Sequence, residues 1–262
     1  MTVLRAEDLA PLAAFLGRGA PATGRQEAGH PEGLVPPCWH WCLLLDPVHP
    51  EDLDDDGYLV GAPTTPGPGV TRMFAGGRVH TLAPLRLGRE TTRTTELTSS
   101  VDKQGRRGPL RFVTMTSTWR QDGRTAVVDE ADYVFMPAKP ASGTTDADAR
   151  LVEPAFDALA TGARRVRVTE PALVTFSALT ANPYRIHWDK DFCARSGHDG
   201  LVIHGPLQAL WMAEETFAGV DPTGTTFSYR FAAPATAPAV MTIEPHQVRR
   251  PDGVVTATST LD

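Results

Sequence analysis

The chain has 262 residues, 41% hydrophobic and 21% charged, which allows one large domain or two modules with a sizeable core. Its net charge of -6 argues against a nucleic-acid-binding surface. No stretch approaches the roughly 20 apolar residues of a membrane-spanning helix, and the start, MTVLRAEDLAPLAAFLGRG, carries Glu7 and Asp8 where a signal peptide would be apolar. Cys38, Cys42 and Cys193 are an odd set without a second pair for zinc, so the expectation is three reduced thiols in a cytoplasmic protein and no metal.

In chain order, residues 1–20 predict a short amphipathic helix. Leu4, Leu9, Leu12, Phe15 and Leu16 fall near helical spacing, and Gly17 and Gly19 end it. A polar loop runs to about Gly33. Leu34 to Leu45, LVPPCWHWCLLL, is apolar and aromatic and should be buried. Pro36 and Pro37 suit a helix start, where amide donors are not needed, so Cys38 to Leu45 reads as a helix, with a strand as the other reading. Glu51 to Val70 reads as loop. Its acidic run, Asp54-Asp55-Asp56-Gly57, lacks calcium-loop spacing and reads as solvated.

From Arg72 onward Thr, Val and aromatics alternate with period two, predicting strands near 77–82, 89–101, 110–120 and 124–136. Lys103-Gln104-Gly105 and Gln121-Asp122-Gly123 mark turns, the second a hairpin signal. Pro137 to about Gly162 reads as a linker with a short helical piece around Phe156. A strand at Arg164 to Thr169, the apolar run Val174 to Leu179, and a helix from Pro206 to about Phe217 follow. Strands are expected at 225–232, 239–245 and 254–261, with Pro251-Asp252-Gly253 as a turn. Each half runs from a buried helix to a series of antiparallel strands, a duplication of architecture without visible sequence repeat. The domains are read as 1–140 and 164–262, joined by a linker over 141–163.

Polar chemistry concentrates between Phe176 and Glu214. Asn182-Pro183 is a turn signal, and Arg185, His187 and Asp189 follow within a few residues. His204-Gly205-Pro206 then opens the helix. Unpaired amides at a helix N-terminus attract developing negative charge, so histidines, an amide and a carboxylate gathered there suit chemistry on a carbonyl compound.

These segments resemble a known family. FSALTANPYRIHWD and GLVIHGPL are similar to FSALTxNxHRIHYD and GLVVHGPL of the MaoC-like hydratases and dehydratases, in the subgroup of 3-hydroxyacyl-thioester dehydratases and mesaconyl-C4-CoA (itaconyl-CoA) hydratases. PPCWHWCLLLDPV, RMFAGGRV and GPLRFVTMTSTW resemble PPLWHW, RMWAGGR and GPLVFVTV of the same subgroup, in order, so the likeness spans about residues 34 to 262. It implies an α+β tandem (double) hotdog fold, each half a long central helix wrapped by an antiparallel sheet, with the first half shaping the acyl pocket and the second reacting. It also implies reversible addition of water to a 2-enoyl thioester of coenzyme A or an acyl-carrier protein, with a mesaconyl-C4-CoA-like substrate favoured. No metal or redox cofactor is expected, and a homodimer is carried as an expectation.

The resemblance implies general base and acid work for His187 and orientation of water or the β-hydroxyl by Asn182. Gly205, with His204 and Pro206, is implied to form the oxyanion site, because a glycine permits close approach of the thioester. Thr180 stands where better-known members carry Asp, and Tyr184 where the subgroup usually has His. Asp189 is either the missing carboxylate or a helix cap or salt-bridge partner. Arg185, Arg72 and Arg78 are candidates for an anionic part of the substrate. A hotdog thioesterase, which would need a carboxylate on the helix such as Glu214 or Glu215, is the rival reading. A non-catalytic acyl-thioester-binding protein and a specialised biosynthetic dehydratase are the others.

Overall fold

The alternating stretches of the first half become long strands: β2 (Val70–Thr81), β3 (Glu90–Gly105), β4 (Gly108–Gln121) and β5 (Arg124–Pro137). The β4–β5 turn carries Asp122 at φ 49° and Gly123 at φ 74°, the paired positive φ values that a two-residue hairpin needs and that Asp-Gly tolerates. A computed structural model describes residues 2–18, 33–106, 108–138 and 162–262. The helical piece expected near Phe156 and most of the 141–163 linker lie outside the described residues. At the N-terminus a two-residue strand, β1 (Thr2–Val3), leads into helix α1 (Ala6–Phe15), which Gly17 ends at φ 67°.

The second half adds β6 (Arg164–Val168), α2 (Glu170–Leu179), α3 (Lys190–Arg195), β7 (Leu201–Val202) and α4 (Gly205–Thr216). Strands β8 (Thr225–Phe231), β9 (Thr236–Ala237), β10 (Ala239–Glu244), β11 (Gln247–Arg249) and β12 (Val255–Leu261) complete it. Leu207 to Glu214 of α4 are all buried, and the helix packs on β8, β10, β11 and β12.

Both halves share one ten-stranded sheet, ordered β1-β3-β4-β5-β2-β8-β12-β11-β10-β6. The joint is the antiparallel pair β2–β8, from Gly76 opposite Arg230 to Thr81 opposite Thr225. Gly76-Gly77 has a reason here. A Cβ on Gly76 would lie 2.2 Å from the Tyr229 carbonyl oxygen, and one on Gly77 would lie 2.3 Å from that of Glu130. The β2 ladder also bulges between Phe74 and Gly76. This bulge and the two glycines hid the strand's first half, which begins at Val70 and not near residue 77.

Cys38–Leu45 is, among the described residues, neither the helix nor the strand of its two readings. Among the described residues that segment is one 3₁₀ turn, Trp39–Cys42, between Cys38 at φ 66° and an extended Leu43. Its side chains are anchored in different directions. Trp39 Nε1 donates to Glu214 Oε1 on α4 at 2.7 Å, and Trp41 Nε1 donates to Asp129 Oδ2 on β5 at 2.6 Å, with His40 Nε2 3.3 Å from the same oxygen.

Candidate active site

Local structure delivers each site residue in turn. Thr169 caps α2 by accepting from the Ala172 amide, and Pro171 sits in the first turn. The apolar run at 174–179 is therefore the second half of a helix. That helix ends in a Schellman motif: Ala181 adopts φ 48°, its amide reaches the Ala178 oxygen at 3.4 Å, and the Asn182 amide reaches the Ser177 oxygen at 2.8 Å. Asn182 Oδ1 then accepts from the Tyr184 amide at 3.2 Å, turning the chain. A 3₁₀ turn over Arg185–His187 follows, and Asp189 caps α3 by accepting from the Phe192 amide at 2.9 Å.

His187 is 8% exposed, and its Nδ1 lies 2.7 Å from the Val202 carbonyl oxygen on β7. A carbonyl only accepts, so Nδ1 carries the proton and Nε2 is left with a lone pair. Nε2 has no hydrogen-bond partner among the described residues. Burial takes the imidazole down from 6.5 to about 4, against the opposing pull of the Val202 hydrogen bond, and Arg72 lowers it further. At neutral pH His187 is thus an uncharged base with a fixed tautomer. His204 stacks on it at 3.5 Å between ring centroids and 14° between planes. His204 is fully buried, its Nε2 is 2.9 Å from Ser177 Oγ, and its Nδ1 has no partner among the described residues. Burial, then the neighbouring His187, holds it well below the usual histidine range.

His204 is also the residue before α4, so the stacked pair abuts that helix's N-terminus. Pro206 has no amide proton, which leaves Gly205 and Leu207 as first-turn donors lacking an intrahelical acceptor. The room above Gly205 is filled by protein: a Cβ there would lie 2.8 Å from Cε2 of Phe231. On its Cβ side the glycine therefore meets the Phe231 ring and not open space.

The other expected residues separate. Arg185 gives Nε to Asp189 Oδ2 at 2.9 Å and Nη1 to the Asp55 carbonyl at 3.2 Å. Asp189, held below the usual carboxylate range by the Phe192 amide and then by Arg185, is committed to the cap and this pair. Arg78 lies between Glu130 and Asp132, 2.8 Å from each. Thr180 Oγ1 donates to the Phe176 carbonyl at 2.8 Å inside its own helix. Arg72 stays near the His187 ring, under an aromatic cage of Tyr58, Tyr133 and Tyr184, its guanidinium carbon 4.4, 5.2 and 5.6 Å from the three ring centroids. Tyr184 in turn meets His187 edge-on at 6.0 Å.

A model of the hydroxyacyl-thioester dehydratase type 2 family matches residues 38–237, which contain both the His187 turn and the start of α4. The chain belongs to this family. It is also 32% identical over 254 residues to the mesaconyl-C(4)-CoA hydratase of Chloroflexus aurantiacus, covering 92% of this chain and 87% of that one. Among solved structures it is similar to HtdX of Mycobacterium tuberculosis, with TM-score 0.64, 15% identity, and 99% and 95% of the two chains covered. It is likewise similar to a second Mycobacterium tuberculosis protein described as having a double hotdog fold, with TM-score 0.53, 15% identity, and 99% and 86% covered. The tandem hotdog expectation holds, and the dehydratase is a carbon–oxygen lyase that interconverts 2-enoyl and 3-hydroxyacyl thioesters.

The geometry around His187 also involves residues that the sequence did not single out. The acidic run, expected to be solvated, docks on the His187 turn. The Arg185 amide donates to the Asp56 carbonyl at 3.1 Å, and a Cβ on Gly57, at φ 86°, would lie 2.4 Å from the Pro183 oxygen. This places Tyr58 against Tyr184, with ring centroids 4.4 Å apart. Glycine followed by an aromatic at the end of DDDGY was the available signal. Ser177 and the Val202 carbonyl carried none, because their partners lie 27 and 15 residues away. The carboxylates that a hydrolase would use are occupied: Glu214 accepts from Trp39 and from Arg18 Nε at 2.9 Å, and Glu215 pairs with Arg164. Among the described residues, no helix is long and apolar enough to cross a membrane.

Proposed function

We propose that His187 is the proton-transfer residue of an enoyl-thioester hydratase and its reverse dehydratase, with coenzyme A as carrier and a mesaconyl-C4-CoA-like acyl group as the substrate type. The observation that carries this reading is the 2.7 Å contact from His187 Nδ1 to the Val202 carbonyl, which leaves Nε2 bare beside the start of α4. In hydration, Nε2 takes a proton from water as its oxygen bonds to the β-carbon. The alkene electrons move onto the α-carbon and thioester oxygen, where the Gly205 and Leu207 amides stabilise the enolate. The imidazolium then returns its proton to the α-carbon; dehydration runs these steps backwards. An imidazole this reluctant to hold a proton is a modest base but a strong acid toward the enolate, which suits one group doing both jobs.

Asn182 uses Oδ1 within its turn, and its half-buried amide nitrogen is assigned to the incoming water or the β-hydroxyl. His204 and Ser177 hold the plane of the His187 ring, and Tyr184 flanks it. The first half supplies the wall facing the acyl group. This chemistry asks for no metal or redox cofactor. Cys38 and Cys193 are buried, and burial pushes the Cys193 thiol up to about 11, so inert thiols in a cytoplasmic homodimer complete the reading.

The test is incubation with crotonyl-CoA and mesaconyl-C4-CoA, following enoyl absorbance and free thiol separately. Loss of absorbance without thiol release supports the hydratase, and His187→Ala should lower that rate about 100- to 10,000-fold. Thiol release, or full hydration by His187→Ala, overturns the assignment.

A further inference from the structure

Arg72 sits apart from the arginines around it. Arg78 holds Glu130 and Asp132, Arg93 pairs with Asp46, and Arg185 holds Asp189. Arg72 faces no carboxylate within ion-pair distance among the described residues. Its one hydrogen bond there runs from Nη1 to the Thr64 carbonyl at 3.2 Å. Three tyrosine rings cover its guanidinium from 4.4 to 5.6 Å. Ring faces stabilise a cation through its plane, but they do nothing for N–H groups at its edge. A guanidinium carries about five such donors in a rigid fork matched to a carboxylate, and most of this fork is unspent. The side chain is half-buried, so the fork remains reachable.

Position narrows what could fill it. Tyr184 touches both Arg72 and His187, and Phe74 links Tyr133, beside Arg72, to Phe231, which covers Gly205. The cage and the start of α4 thus lie along one aromatic wall. An anion held by Arg72 is near the reacting carbons, whereas the phosphates of coenzyme A are separated from the thioester by the whole pantetheine arm. We propose that Arg72 is the specificity-determining residue for the mesaconyl-C4-CoA-like substrate type, binding the free carboxylate at the far end of the acyl group.

This rests on the hydratase reading, but binding can be measured without turnover. S-(3-carboxypropyl)-CoA and S-butyl-CoA differ in one terminal carboxylate and cannot be hydrated. Calorimetry on the wild-type chain should give tighter binding of the carboxylate ligand by about 10- to 100-fold, the range of a charge-assisted hydrogen-bonded pair. Arg72→Met should collapse that ratio toward one, and Arg72→Lys should restore part of it, with thermal unfolding confirming that both variants fold. A wild-type ratio near one, or a ratio unchanged in Arg72→Met, overturns the proposal. If Arg72→Met weakens both ligands equally, and the loss vanishes with the matching pantetheine thioethers, Arg72 holds a coenzyme A phosphate and the proposal fails. Failure of hydration in the turnover assay, with the binding ratio intact, would count against the hydratase reading alone.

Discussion

Acid should weaken this fold through His187. Protonating Nε2 places a charge where the ring is buried, stacked against His204 and near the Arg72 cation, with Nδ1 already committed to Val202. Above pH 6.5 the imidazole is neutral in both folded and unfolded chains, and it contributes no pH dependence. Between 6.5 and about 4 the unfolded chain binds a proton that the folded chain refuses, so stability falls across that window. The gap, at about 1.4 kcal/mol for each step of one in pKa, comes to about 3 kcal/mol once the pH is below about 4. Urea unfolding at neutral pH and again near pH 4.5 measures it, with His187→Gln as the non-titrating reference. The wild-type chain should lose about 2–3 kcal/mol more than the variant over that interval. His204 is held down mainly by burial in both proteins, and the part that comes from His187 goes with the ring, so the difference reports the stacked pair. Parallel losses in the two proteins, or a His187 imidazole resonance titrating near its ordinary value, would refute the burial argument.

Two further outcomes follow from close packing. Gly57→Ala forces a Cβ toward the Pro183 oxygen at positive φ, so it should destabilise by about 1–3 kcal/mol and displace the Tyr58–Tyr184 stack. Thermal unfolding together with kcat/KM on an enoyl-CoA checks this, and an unchanged Tm contradicts it. Glu214→Ala leaves the buried Trp39 Nε1 and the Arg18 guanidinium without their acceptor, at a cost of about 2–3 kcal/mol. Glu214→Gln retains an oxygen for Trp39 and should cost less. Equal losses from the two substitutions in urea unfolding would count against that hydrogen bond.

How much of this was legible depends on how far apart the interacting residues lie. The long strands β3, β4 and β5 follow from period-two alternation and an Asp-Gly turn, both local signals. The start of α4 and the His187 turn were legible because each is a short continuous motif. Helix α2 showed only as an apolar run, since its cap Thr169 and its Schellman end at Ala181 use residues that do not advertise a helix; a Gly at 181 would have. The Arg72 cage could not be read at all, because Tyr58, Tyr133 and Tyr184 reach it from a loop, a strand and a turn scattered along the chain. Arg185 and Arg78 looked equivalent to Arg72 in sequence. Only their neighbours Asp189, Glu130 and Asp132 show them to be occupied.

The β2–β8 joint has a consequence for how this enzyme can change. Two hotdog units that share a ladder, with Glu214 of one held by Trp39 of the other, amount to a dimer that can no longer dissociate. In a dimer of identical chains every substitution appears twice, so a change made in one copy is also imposed on the other. Here Tyr58, Arg72 and Tyr133 belong to one half, and His187, His204 and the start of α4 to the other. A single chain is free of that constraint: the Arg72 cage can change without any matching change around the His187 ring.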